Sequence, residues 1–341
     1  MPSRTAAKNR QIQGDGLLTP KIAKPKGAPA AKKLHRFCAS VYPSAPQCLP
    51  PEFVRLIKRL EGILRMPVWM IIQNGGIGPY DEITFDVLKG FQAQRDAVAE
   101  GQPVALLIES PGGSAHSAYR IGRLFQRRSN DFTVVVPQYA KSAATLIALG
   151  AKRLLLGRDA ELGPLDVQMF DPERESVGSA LDAVQALERL NAFALAATDE
   201  AMMLYVRRTG KRTDVLLPHV LTYAANFVRP LLEKIDTVEY TRRSRELRVA
   251  EEYAIRLMKP NYPWAVAKRI AGRLVQKYPT HGFVIDRQES SVFEQVTVIP
   301  PETYGLGLRM REAPKGTEDI FSKLVPFLDS ITVIGKLKEA A

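Results

Sequence analysis

Cysteine is nearly absent: Cys38 and Cys48 are the only two in 341 residues. That excludes a disulfide scaffold and any Cys-based zinc site. There is no P-loop, no Rossmann glycine fingerprint, no HExxH and no Cys/His metal spacing, so neither a metal nor another cofactor is expected. Long apolar runs are missing as well. The longest, 132–151, is broken by Pro137 and Lys141 and reads as strand, turn and helix, so no membrane span is expected. The first residues lack the continuous apolar stretch of a secretory signal. With neither signal nor span, the expected location is the cytoplasm.

Acids are scarce at the start of the chain. The first 36 residues hold nine Lys and Arg against one acid, Asp15. They carry most of the net charge of +12, together with Pro2, Pro20, Pro25 and Pro29. Such a segment cannot bury enough surface to offset its ordering entropy. It is read as a disordered, Pro-rich arm over 1–50, whose residues 1–36 offer contact to nucleic acid or an acidic partner. The remainder is ordinary globular sequence, 45% hydrophobic and 25% charged over the whole chain. The basic clusters Arg207-Arg208-Lys211-Arg212 and Arg242-Arg243-Arg245-Arg248 read as solvated helix faces.

From residue 51 helical and strand signals alternate. Phe53, Leu56, Ile57, Leu60 and Leu64 fall at helical spacing, and 83–97 and the stripe Ala118-Ile121-Gly122-Phe125 predict two more helices. Val68–Ile72, Val104–Ile108, Phe132–Val136 and Leu154–Leu156 are short unbroken apolar runs. Runs without alternation mark strands covered on both faces, hence a mainly parallel α/β sheet with helical crossovers. Beyond 181 the pattern is mostly helical, and the segment 301–341 reads as a tail with a weakly amphipathic helix.

Chemistry concentrates between Val104 and Gln168. One strand ends in Glu109-Ser110-Pro111-Gly112-Gly113-Ser114, where Pro and two glycines turn backbone N–H groups into open space. Donors so placed can hold an oxyanion. The next strand ends in Tyr139-Ala140-Lys141-Ser142-Ala143-Ala144-Thr145-Leu146, which sets Ser142 at the start of a small-residue helix. Alone, such a serine is more often an N-cap than a nucleophile. Asn74-Gly75-Gly76-Ile77-Gly78-Pro79 reads only as a turn.

The order of these blocks, with Leu162-Gly163-Pro164-Leu165-Asp166-Val167-Gln168 and Tyr278-Pro279-Thr280-His281-Gly282-Phe283-Val284-Ile285-Asp286, resembles the serine dehydrogenase proteinase family. That family is part of the ClpP/crotonase-like superfamily and is related to the SppA signal peptide peptidases. The resemblance covers roughly 52–295, within a peptidase domain placed at 51–300. It implies a ClpP/crotonase-like parallel sheet and a serine peptidase that cleaves peptides or proteins by acyl transfer. Ser142 would be its nucleophile, and the N–H groups of Gly113 and Ala143 its oxyanion hole. It also implies a homo-oligomer.

The proton acceptor is open at this stage. No histidine follows Ser142 at the ClpP spacing, and no lysine lies between Arg153 and Gly210. Four candidates stand: His281 with Asp166 orienting it, Lys141, His116, and Asp166 alone. Ser110 and Ser114 are rival nucleophiles, Ser114 being the better helix cap. Two other functions compete: a non-catalytic scaffold whose arm binds nucleic acid or acidic proteins, and a crotonase-type acyl-CoA hydratase or thioesterase with Asp166 as acid/base.

Overall fold

In the computed structural model of the chain, residues 37–43, 48–166, 168–171, 176–291, 306 and 308–340 are described. The arm expected over 1–36, with its acidic or nucleic-acid contact, lies outside them.

The first described element is strand β1, Phe37–Ala39, so part of the segment read as an arm is sheet. Helix α1, Pro51–Leu64, opens on Pro51, whose missing N–H costs nothing at a first helical position. There follow β2 (Val68–Ile72), α2 (Phe85–Ala93), β3 (Gln102–Glu109), α3 (Ala115–Arg128) and β4 (Ser129–Val136). Next come β5 (Tyr139–Ala140), α4 (Ala143–Leu149), β6 (Arg153–Leu156) and β7 (Glu161–Leu162). Helix α2 is shorter than the expected 83–97. Thr84 caps it by accepting from Val87 N, and Ile83 is drawn instead into a bridge with Gly113.

β2, β3, β4 and β6 are the four strands read from the sequence, and they pair in parallel in that order. Their side chains alternate between two cores. Trp69, Ile71, Leu106, Ile108, Val134 and Val136 face a cluster shared with α2, α3 and α4. Val68, Met70, Ile72, Ala105, Leu107 and Val135 face a second cluster with α1. Apolar residues on both faces explain the unbroken runs.

The hairpin β8 (Gln168–Asp171) and β9 (Ser176–Ser179) leads into four helices: α5 (Ala180–Thr209), α6 (Thr213–Leu232), α7 (Thr237–Met258) and α8 (Trp264–Gln276). Strand β10 (Ile285–Asp286) and helix α9 (Arg287–Ser290) follow, then α10 (Thr317–Leu328) and β11 (Val333–Glu339).

The last two elements differ from the expected tail. Ile320, Phe321, Leu324 and Leu328 of α10 are buried in the cluster of α1. β11 inserts between β1 and β2, antiparallel to both, so the sheet is mixed rather than wholly parallel. Only Val333, Ile334 and Leu337 carry its apolar signal, and Gly335, Lys336 and Lys338 dilute it below the level of a readable strand.

Among the described residues, α6 alone is long and apolar enough to cross a membrane, by length and composition. Its eighteen-residue window has mean hydropathy 1.2 and is 22% buried. The run 132–151, of the same length, is instead a buried strand, turn and core helix.

Candidate active site

Ser142 sits in the turn between β5 and α4 with φ 48° and ψ −117°. Among the described residues, only it and Arg65 are non-glycines with positive φ. Such a backbone costs about 1–3 kcal/mol and persists only where its surroundings over-determine it. Here Lys141 N donates to Ser110 O at 3.0 Å on one side of the turn. On the other, the buried Thr145 Oγ1 lies 2.6 Å from Ala140 O, 2.9 Å from Gly163 O and 3.1 Å from Gly163 N. Ser142 occupies the N-cap position of α4, yet its hydroxyl makes no capping bond. The capping alternative therefore fails, and the hydroxyl is left available.

The two rival serines are engaged. Ser114 Oγ accepts from Ser117 N at 3.3 Å and caps α3. Ser110 is fully buried, donates to Gln73 Oε1 at 2.7 Å and accepts from Gly112 N at 3.1 Å. It fastens the Pro-Gly-Gly turn rather than offering a nucleophile.

That turn abuts the serine. Gly112 and Gly113 have φ of 116° and 127°. A methyl group on Gly112 would lie 2.8 Å from Lys141 O and 2.9 Å from Ser142 Cβ. Among the described residues, neither Gly113 N–H nor Ala143 N–H donates to another protein group. Gly112→Ala is therefore expected to keep the sheet but slow reaction of Ser142 by roughly 10²–10³-fold, the scale of one lost oxyanion donor. The rate of fluorophosphonate labelling, read beside a thermal melt, checks it; an unchanged rate in a folded variant refutes it.

Gly113, Ser142, Ala143, Asp166 and His281 line one cavity of ≈ 870 Å³, with Lys141 and His116 at its wall. The four base candidates separate there. His281 Nδ1 is 2.6 Å from Asp166 Oδ1 and 3.1 Å from Asp166 O. Asp166 is 3% exposed, and its other oxygen accepts from Ser179 Oγ at 3.1 Å. With Nδ1 as donor to the carboxylate, Nε2 keeps a lone pair. Lys141 Nζ instead is held in an ion pair with Glu161 Oε1 at 2.6 Å. His116 is exposed and stands edge-on to Tyr253, with ring centroids 5.4 Å apart. Asp166 serves His281 rather than standing alone.

A buried polar seam ties the two turns together. Glu109, fully buried at the end of β3, accepts from Gln138 N and Tyr139 N at 3.1 Å each. Burial pushes its carboxyl up to about 8; those two N–H groups oppose the shift, and the charges of Asp329 and Glu161 add to it. Tyr139 is pushed up to about 12, by burial first and by Glu109 second. Sequence reasoning passed over Glu109, Gln73, Thr145 and Ser179. Glu109 had a readable signal, a carboxylate directly after a buried apolar run. The others had none, because their partners are set by how the turns pack against one another and follow no sequence spacing.

Among the described residues, no group of three His, Cys, Asp or Glu could hold a metal ion.

Residues 62–219 match the family model of the ClpP-like SDH-type serine proteinases. Two uncharacterized proteins of Methanocaldococcus jannaschii are similar. MJ0137 is 32% identical over 31% of this chain and 37% of its own length. MJ1495 is 24% identical over 71% of this chain and 68% of its own. A mutant of the 1510-N membrane-bound stomatin-specific protease aligns at 17% identity and TM-score 0.28, over 43% of this chain and 65% of that one. The matches thus span just over a third of the first relative and under two thirds of the solved chain. The segment 62–219, which carries the Pro-Gly-Gly turn, the serine elbow and Asp166, is thus similar to the ClpP-like SDH-type serine proteinases.

Proposed function

We propose that the chain is a serine endopeptidase with Ser142 as nucleophile, His281 as general base and Asp166 as its orienting carboxylate. The observation that carries this reading is the His281–Asp166 pair, 2.6 Å apart, on the wall of the cavity that Ser142 also lines. Histidine and carboxylate so arranged leave Nε2 to accept the serine proton.

In the first step Ser142 Oγ bonds to the scissile carbonyl carbon, and its proton passes to His281 Nε2. The carbonyl oxygen becomes an oxyanion, to which the N–H groups of Gly113 and Ala143 donate. The C–N bond then breaks, and His281 returns the proton to the departing amine. Water repeats the sequence on the ester, with His281 as base, releasing the acid and restoring Ser142. The test is the site of a fluorophosphonate adduct, located by mass spectrometry. An adduct on Ser142 is expected. An adduct on another serine, or a folded protein with none, overturns the reading.

The cavity is set to act within a homo-oligomer. Twelve large apolar side chains on α5 and α6 are 43–61% exposed, Leu221, Tyr223 and Phe227 among them. A soluble monomer rarely exposes so large a patch. Helix α5 is continuous with the site, because its cap Ser179 also donates to Asp166. A second copy covering this face would brace the catalytic carboxylate. Light scattering is expected to give a multiple of 37.9 kDa for the native chain and a smaller mass for Leu221→Glu/Phe227→Glu. A monomeric native chain that cosediments with anionic phospholipid vesicles would assign the face to a membrane and overturn the oligomer.

A further inference from the structure

A second cavity, ≈ 1120 Å³, runs beside α8 and shares no lining residue with the first. Trp264, Lys268, Gly272 and Gln276 line it at four-residue spacing, which sets them along one helix face over about 18 Å. Gly272 leaves the middle of that face open: an added methyl would meet only Glu251 Oε1, at 3.6 Å.

Its chemistry combines flat rings with excess positive charge. Trp264, 62% exposed, and the half-buried Phe283 supply the rings, and the buried Tyr278 backs Phe283 with ring centroids 5.0 Å apart. Lys268, Arg269, Arg273 and Lys277 supply the cations, against Glu251 and Glu289. Glu289 is already occupied, accepting from Tyr278 Oη at 2.8 Å and pairing with Arg273 at 3.4 Å. Among the described residues, Lys268, Arg269 and Lys277 have no carboxylate at ion-pair distance. Lys268 Nζ rests 5.2 Å from the centroid of the Trp264 ring. An aromatic face with a cation on it and two more beside it suits a planar base joined to a run of negative charge. An acidic peptide would use the cations and leave the rings unfilled.

The groove also borders the catalytic machinery. Tyr278, Pro279 and Phe283 line it, while His281 and Gly282 of the same loop line the Ser142 cavity. Leu165 N, one residue before Asp166, donates to Leu274 O of α8 at 2.9 Å. One helix and one loop therefore border the groove and also contact the segments that carry the histidine and its carboxylate.

We propose that this groove binds a nucleoside polyphosphate, and that its occupation steadies the His281 loop and raises turnover at Ser142. The turnover part rests on the peptidase reading above; the binding part does not.

The chain has two tryptophans, and Trp69 is buried at 1% exposure, so ligand-dependent emission reports on Trp264. ATP and ADP are expected to quench that emission saturably, in the native chain and in Ser142→Ala alike. Adenosine or inorganic triphosphate alone should bind at least about tenfold more weakly, since each supplies half of the contacts. Lys268→Glu/Arg269→Glu, two exposed positions whose exchange leaves the core intact, should lose the quench. Saturating ATP should raise kcat on a peptide substrate about fivefold or more in the native chain and leave the double variant unchanged. No saturable quench, or equal quench in the double variant, overturns the site. Tighter binding of a single-stranded RNA oligomer than of ATP overturns the choice of ligand. Binding without change in kcat overturns the coupling, and a Ser142→Ala protein that still turns over peptide overturns the peptidase reading while leaving the binding result standing.

Discussion

Replacing Ser142 by alanine is expected to abolish fluorophosphonate labelling and to lower peptide hydrolysis by roughly 10⁵–10⁶-fold, the scale at which a catalytic serine acts with its base. The protein should fold as before or slightly better, because Ser142 caps nothing. His281→Ala should cost about the same, since without a proton acceptor the hydroxyl is a poor nucleophile. Asp166→Asn should cost roughly 10⁴-fold, by presenting an amide N–H to Nδ1 and forcing the wrong imidazole tautomer. The double variant Ser142→Ala/His281→Ala should be no worse than either single one, because the two side chains act in one step. Steady-state kinetics on a single peptide checks all four. Losses that multiply in the double variant would mean separate roles and would sink the dyad.

The second large effect concerns Glu109 and is read in stability. Its carboxyl titrates near 8 in the folded chain, against an ordinary value of 4.5, chiefly because burial disfavours the charged form. Below 4.5 the group is protonated in both folded and unfolded chains. Between 4.5 and about 8 the unfolded chain has released the proton while the folded chain keeps it. Stability attributable to Glu109 therefore falls as pH rises through that window, by about 1.4 kcal/mol per unit, and levels off above it. Denaturant midpoints taken from pH 5 to 9 should show this slope, on the order of 4–5 kcal/mol in all. Glu109→Gln should remove the slope. It should also cost about 1–3 kcal/mol at the acid end, since its amide nitrogen would face Gln138 N–H or Tyr139 N–H and leave that donor unmatched. Equal slopes in native and variant chains would show that the pH dependence arises elsewhere.

The local elements were legible in the sequence because they obey short-range rules. β2 and α4 have the bounds their composition predicts, Val68–Ile72 and Ala143–Leu149, since an unbroken apolar run and a run of small residues each admit one conformation between their turns. The Pro-Gly-Gly turn and the serine elbow were equally visible, being built from residues adjacent in the chain. β11 was not legible, because its place beside β2 is decided by the sheet edge it completes rather than by its own weak pattern.

By itself, then, the sequence determined the four buried strands, their parallel sense and the two turns around Ser142, whereas the order of the strands in the sheet came from the structure. Only the tertiary structure brings His281 against Asp166, the contact on which the proposed choice among the four candidate bases rests. His281 and Asp166 are 115 residues apart, and they meet because four helices carry the chain out and back to the same cavity. Ser179 meets Asp166 across the β8–β9 hairpin, and Glu109 meets Gln138 and Tyr139 across α3 and β4. Turn chemistry and periodicity act over a few residues, whereas a proton relay is a contact between distant segments, and packing alone sets where distant segments meet.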